Sequence, residues 1–146
     1  DLNFMLDDTL ELLKNTASAR NDISITKDFD GPLFVNADRQ KMHQVFLNLG
    51  MNALEAMPDG GELSVSTMRT GSSFEVVFKD TGVGIRHKNL EKIFYPFFTT
   101  KDEGTGLGLA IAYRIIEEHK GKINVISNPG EGTVFKVIIP DSNGKS

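Results

Sequence analysis

The sequence predicts an α/β fold, a mixed sheet with helices packed on one face. Three observations carry that prediction. Two stretches, 2–17 and 38–57, place apolar residues at three- and four-residue spacing, the period of an amphipathic helix. Alternating segments meet in hairpins across Thr70-Gly71-Ser72 and Asn128-Pro129-Gly130. Strand-like and helix-like segments are intermixed with no repeat and no linker, so residues 1–146 read as one domain.

In chain order, Leu2, Leu6, Leu10, Leu13 and Ala17 define the first helix. Ile23, Ile25, Lys27 and Phe29 alternate as a short strand, Asp30-Gly31-Pro32 turns the chain, and Leu33 to Val35 is expected to pair as a brief strand. Asp38 is a suitable N-cap for a long helix that Pro58-Asp59-Gly60-Gly61 stops near Met57. Glu62 to Arg69 and Ser73 to Lys79 form the first hairpin. From Asp80 to Gly108 the pattern loosens into glycines and a Phe-rich patch. A helix resumes near Thr105 and ends at Lys120-Gly121, before strands Lys122 to Ser127 and Thr133 to Ile139.

Bulk properties narrow the function classes. The 146 residues suffice for a core without staples, and the absence of cysteine removes disulfides and thiolate metal sites. No apolar run approaches the ~18 residues of a membrane span, and no signal-peptide pattern opens the chain. A net charge of −4 provides no broad basic field for nucleic acid. An anionic ligand would be held by local devices: a metal ion, helix N-termini, one or two lysines. The chain opens at Asp1 directly into a helical pattern, which reads as a piece excised from something longer.

Four segments bear chemistry. Gln44, Asn48 and Asn52 stack at four-residue spacing beside an apolar stripe of Met42, Val45, Leu49, Ala53 and Ala56. Neutral amides offer carbonyl oxygens to a hard cation such as Mg²⁺ that already carries phosphate oxygens and water. They also read as ordinary polar residues at the edge of a buried helix. Asp80-Thr81-Gly82-Val83-Gly84-Ile85 follows a strand directly. A carboxylate there can accept from the exocyclic amine of adenine and repel the carbonyl of guanine. Its glycines either let backbone approach a flat base or merely take positive φ in a turn. Gly104-Thr105-Gly106-Leu107-Gly108-Leu109 opens the next helix with free N–H groups suited to phosphate. Its spacing is not that of a dinucleotide fingerprint, and no GxxxxGK[ST] loop or DFG signature occurs. Between the glycine motifs lies Phe94-Tyr95-Pro96-Phe97-Phe98-Thr99-Thr100-Lys101, whose aromatics are expected to pack, within a Gly-bounded stretch of about twenty residues built like a lid. Lys101 could meet a terminal phosphate as a point charge.

In this order the Asn-rich helix, DTGVGI, FYPFFTTK and GTGLGL resemble the N, G1, F and G2 boxes of bacterial sensor histidine kinases. The flanks agree: Asp1-Leu2-Asn3, Ala37-Asp38-Arg39, and Ile116-Glu117-Glu118-His119 through Gly132-Thr133-Val134-Phe135. PFFTTK is similar to the nitrogen-regulation and oxygen-sensing type. The resemblance implies an α/β two-layer sandwich of the Bergerat type, with a mostly antiparallel mixed sheet and a mobile ATP lid. It implies ATP and Mg²⁺ as cofactors, with Asn52 the principal metal ligand and Asn48 assisting. It implies Asp80 reading adenine, with Gly82, Gly84 and Ile85 beside it and Thr133 in support. Phe97, Gly104, Thr105, Gly106, Leu107, Gly108 and Leu109 then line the nucleotide, with Lys101 at the terminal phosphate. The implied partners are a separate dimerisation domain carrying the phosphoacceptor histidine and a cognate response regulator, in a cytoplasmic portion of a homodimeric parent. Nucleic acid and direct membrane contact are not expected.

Two features depart from the family or qualify it. Some members carry a basic residue three places after the second asparagine, where this chain has Glu55. The three histidines, His43, His87 and His119, lack the setting of a phosphoacceptor. Rival readings are a superfamily ATPase, a serine kinase and a nucleotide-sensing module without catalysis. In the ATPases a glutamate that activates water stands where this chain has Asn48, and an amide cannot act as a general base near neutral pH.

Overall fold

The computed structural model describes residues 1–18, 22–96 and 108–141. Its elements are α1 (Leu2–Ser18), β1 (Ile23–Asp28), α2 (Arg39–Glu55), β2 (Gly61–Thr70), β3 (Ser73–Asp80), α3 (His87–Leu90), α4 (Gly108–Glu118), β4 (Lys122–Asn128) and β5 (Gly132–Pro140). The strands form one sheet in the order β1-β2-β3-β5-β4. β1 runs parallel to β2 with α2 as the crossover, and every other pairing is antiparallel. This is the mixed, mostly antiparallel sheet expected.

Alternation decides which face each side chain takes. Leu63 and Val65 of β2, Phe74, Val76 and Phe78 of β3, and Phe135, Val137 and Ile139 of β5 point to one buried face. α2 covers it with Met42, Val45, Phe46, Leu49, Ala53 and Leu54, and Phe46 stacks on Phe78 at 6.1 Å between ring centroids. Burying each such aromatic contributes about 1.5–3 kcal/mol. α1 and α4 lie on either side of α2, against β1 and β4 respectively. At Gly50 a Cβ would collide with the side chain of Leu13, so glycine permits the close approach of α1 to α2.

Capping matches the expectation for α2: the Asp38 carboxylate accepts from the Lys41 N–H at 3.1 Å. α4 ends at Glu118, just before the expected stop. The chain then reverses through Lys120 at φ 61°, and the Gly121 N–H donates to the Ile116 carbonyl at 2.9 Å. His119 ties this end to α2. Its Nε2 accepts from the Asp38 N–H at 3.1 Å while its Nδ1 donates to the Ile115 carbonyl at 2.7 Å.

One expected strand is absent. Leu33 to Val35 has no ladder partner, because the Leu33 N–H goes to Asp1 Oδ1 and its carbonyl accepts from the Leu2 N–H. This loop therefore caps the start of α1 instead of extending the sheet. Asn3 completes the join by donating to the carbonyls of Asp30 and Gly31 and accepting from the Thr67 hydroxyl. Among the described residues, no helix is long and apolar enough to cross a membrane.

Candidate functional site

α2, β3, β4, β5 and the start of α4 converge at one end of the sheet. Asp80 is the last residue of β3, in register with Thr133 of β5, which is in register with Ser127 of β4. Cross-strand partners share a face, so the three side chains form a polar row at the end of the helix-covered core. All three are buried, with exposures of 3% for Asp80, 3% for Thr133 and 5% for Ser127. Desolvation raises the pKa of the Asp80 carboxyl, while backbone N–H groups of Gly82 and Thr133, which donate to it, pull the other way. The Gly82 bond to Oδ1 is 2.8 Å. Burial dominates, so this carboxylate would gain from a ligand donor.

The segment after Asp80 is held by backbone on both sides. The Val83 N–H donates to the Ala56 carbonyl at the C-terminus of α2 (2.9 Å), and the Val83 carbonyl accepts from Gly130 (2.7 Å). A Cβ on Gly82 would stand against the Ala56 carbonyl. Gly84 sits at φ +76°, where a Cβ would meet the Asn128 carbonyl. The protein's own backbone is enough to require both glycines, and positive φ accounts for Gly84 alone of the two.

Across the site, Asn48 and Asn52 are half-buried on α2 while Gln44, one turn earlier, is exposed. The Asn48 side chain bonds the Gly108 carbonyl at 3.0 Å. A carbonyl only accepts, so the amide nitrogen faces Gly108 and Oδ1 is left to point elsewhere. Among the described residues, a Cβ added to Gly108 would meet nothing closer than Asn48 Cγ at 3.8 Å, an ordinary contact. Unlike Gly82 and Gly84, Gly108 is not required by the packing seen here.

Asn48 and Asn52 present a neutral donor set at this end of the site. Among the described residues no cluster of three His, Asp or Glu could hold a metal ion. Two amide oxygens on one helix therefore fit an ion that arrives with phosphate oxygens, not one caged by protein carboxylates. Ile85 and Leu109 are half-buried at the margins of the core. Lys101, Phe97, Gly104, Thr105, Gly106 and Leu107, together with the later part of the expected lid, lie outside the described residues. Of the aromatic patch, Phe94 packs as expected, its ring 5.1 Å from Tyr113 and 6.4 Å from Phe135.

Ser127 is the residue that sequence reasoning missed. Its Oγ accepts from the Ile85 N–H at 2.7 Å and lies 2.8 Å from Thr133 Oγ1 and 3.0 Å from the Gly132 carbonyl. The signal was available, since a serine follows Ile123 and Val125 at an inward-facing position of the same strand. The three histidines all have partners within the chain: His43 with Thr9, His87 with Asn128, His119 as above. A cavity of about 240 Å³ between α1 and α2, lined by Phe4, Met5, Asp8, Arg39, Gln40 and His43, lies away from this site.

The chain belongs to the family described as histidine kinase-, DNA gyrase B- and HSP90-like ATPases, which it matches over residues 37–143. Within that family it is an ATP-binding catalytic domain of the histidine-kinase type, as its relatives make plain. It is 42% identical over 142 residues to Sporulation kinase C of Bacillus subtilis (strain 168), a match covering 95% of this chain and 33% of that protein. The nucleotide-free catalytic domain of histidine kinase ThkA superposes with a TM-score of 0.85 at 37% identity, covering 97% of this chain and 93% of that one. ThkA has also been solved in complex with the response regulator protein TrrA. Full-length ShkA in complex with AMPPNP superposes with a TM-score of 0.88 at 26% identity, covering 100% of this chain and 31% of that one. The chain thus spans about a third of the length of the first of these curated relatives.

Proposed function

We propose that this domain binds Mg-ATP and delivers the γ-phosphoryl group to a histidine on a separate dimerisation domain, as the kinase module of a two-component system. The observation that carries the reading is the chemistry of Asn48. The helix position that must hold a base for water attack holds an amide, and that amide is already committed through its nitrogen to Gly108. Phosphoryl transfer to an incoming nucleophile needs positioning and charge neutralisation more than a protein base. Asn52, with Asn48 one turn earlier, would hold Mg²⁺ through side-chain oxygens, and the ion would neutralise phosphate charge. Asp80 would take the adenine amine, with Thr133, Gly82, Gly84 and Ile85 around the base. Gly108 and Leu109, with Phe97, Gly104, Thr105, Gly106 and Leu107, would follow the phosphates, and Lys101 the terminal one.

The acceptor imidazole nitrogen attacks the γ-phosphorus, the bond to the bridging oxygen breaks, and ADP leaves. The AMPPNP complex of full-length ShkA supports nucleotide binding by this fold, and the ThkA–TrrA complex supports a response regulator as the downstream partner. A cytoplasmic, homodimeric parent accords with this reading, and the PFFTTK segment supports the nitrogen-regulation or oxygen-sensing type. The test is phosphate release by the isolated domain, with and without an added histidine-bearing domain. We expect negligible hydrolysis alone and label on histidine when the acceptor is present. Hydrolysis at ordinary enzymatic rates without acceptor would make the domain an ATPase.

A further inference from the structure

Two hydroxyl protons must serve the buried contacts among Ser127, Thr133 and Gly132, and only one arrangement satisfies them. The Gly132 carbonyl cannot donate, so its 3.0 Å contact with Ser127 Oγ is a hydrogen bond only if Ser127 gives up its single proton there. The 2.8 Å contact between the two hydroxyls then requires Thr133 to donate to Ser127. Ser127 Oγ, with the Ile85 N–H as its second donor, is saturated: two bonds accepted and one donated. Reversing the hydroxyl pair would set the lone pairs of Ser127 against those of the Gly132 carbonyl in a buried setting, where an unmade bond is costly.

Thr133 is thereby left with lone pairs only. It stands in register with Asp80, whose carboxylate also only accepts when ionised. The row consequently turns two acceptors and no hydroxyl donor toward whatever occupies this end of the site.

We propose that Ser127 is a specificity-determining positioning residue. By drawing the proton of Thr133 away from the slot, it makes the base-binding end complementary to a 6-amino purine and hostile to a 6-oxo purine. Ser127 touches no ligand; it acts through the direction of the Thr133 hydroxyl. The inference rests on the reading that Asp80 and Thr133 face the base. It goes beyond that reading by dividing discrimination between a charge and a fixed hydroxyl.

The experiment is calorimetric titration of the domain with Mg-ATP and Mg-ITP, which differ at the 6-position and in the proton that N1 carries in ITP, read as the ratio of the ITP Kd to the ATP Kd. In Ser127→Ala the Thr133 hydroxyl is free to turn and donate to a 6-oxo group, so the ratio falls about 3- to 10-fold, the worth of one hydrogen bond. Ser127→Thr, which keeps the hydroxyl, restores the wild-type ratio. Thr133→Val reads the sign even if Ser127→Ala does not fold. Removing a pure acceptor harms ATP relative to ITP and lowers the ratio, whereas removing a donor raises it. A raised ratio in Thr133→Val, or an unchanged ratio in a folded Ser127→Ala, overturns the proposal. Failure of the underlying reading looks different: the wild type shows no preference between the nucleotides and Asp80→Asn binds ATP as the wild type does. A wild-type preference that Asp80→Asn abolishes and Ser127→Ala leaves intact removes the Ser127 inference alone.

Discussion

The two ends of the site are built on different terms. At the end proposed for the base, Asp80, Gly82, Gly84, Thr133 and Ser127 are locked by buried hydrogen bonds and by close backbone approaches from α2 and β4. At the end proposed for the metal, Asn48 bonds Gly108, and among the described residues Gly108 has room for a side chain that it does not carry. The first end is fixed by the protein's own bonds, while its carboxylate and the Thr133 hydroxyl still present acceptors. The other holds Gly108, whose identity the packing among the described residues leaves unexplained, as the proposed close approach of a phosphate would require. Glycine therefore has two meanings in this chain, and the surroundings, not the motif, tell them apart.

That contrast can be broken most forcefully at the glycines. Gly82→Ala and Gly84→Ala each force a Cβ onto a backbone carbonyl, and we expect a loss of about 3 kcal/mol or more, lowering Tm by about 10 °C or more. Thermal denaturation decides; a loss below about 1 kcal/mol would show that the base end is not held by backbone contact. Next in size is Asp80→Asn, expected to weaken ATP by about 10- to 100-fold, the range for a hydrogen bond to a charged group, with the fold intact by circular dichroism.

The same variant has a pH signature. The pKa of Asp80 is raised in the folded state from its ordinary 3.8, so between that value and the raised one the native protein binds more protons than the unfolded chain. The stabilising contribution of the protonated carboxyl is present below 3.8 and is lost as pH rises through the folded pKa. Unfolding midpoints of wild type relative to Asp80→Asn should accordingly decline with rising pH across that window. A flat difference would place the carboxylate in water.

At the metal end, Asn52→Ala should remove the Mg²⁺ dependence of ATP binding. Persistence of that dependence in titrations with and without the ion would reassign the ligand. The smallest expected change is the stability of Gly108→Ala, within about 1 kcal/mol of wild type and in the stabilising direction, because alanine is the better helix former. Its ATP affinity should nonetheless fall. If stability drops while affinity holds, the contrast between the two ends is lost.

Much of this was legible in the sequence because it depends on local rules. Periodicity located α1, α2 and both hairpins, Asp38 announced the start of α2, and the order of the four motifs pointed to Asp80 and the asparagines. What escaped was decided by distant partners. Leu33 to Val35 has strand-like residues, yet its backbone groups are taken by Asp1 and Leu2. The parallel pairing of β1 with β2 depends on how α2 packs and has no local signature. α3 spans only His87–Leu90 and is too short for a periodic pattern. Ser127 gains its role from Ile85, Gly132 and Thr133, and of these only the last two are its near neighbours in sequence.

The strand order carries one more consequence, for the moment at which the polypeptide becomes competent. β5 inserts between β3 and β4, so the Asp80–Thr133–Ser127 row draws on strands made before and after α4. A nascent chain that has emerged only through α4 has Asp80 but lacks the two hydroxyls beside it, and its β3 presents a bare edge. On the proposed reading of the site, nucleotide would bind in full only once the last hairpin has found its place, and would stabilise the finished fold over its precursors.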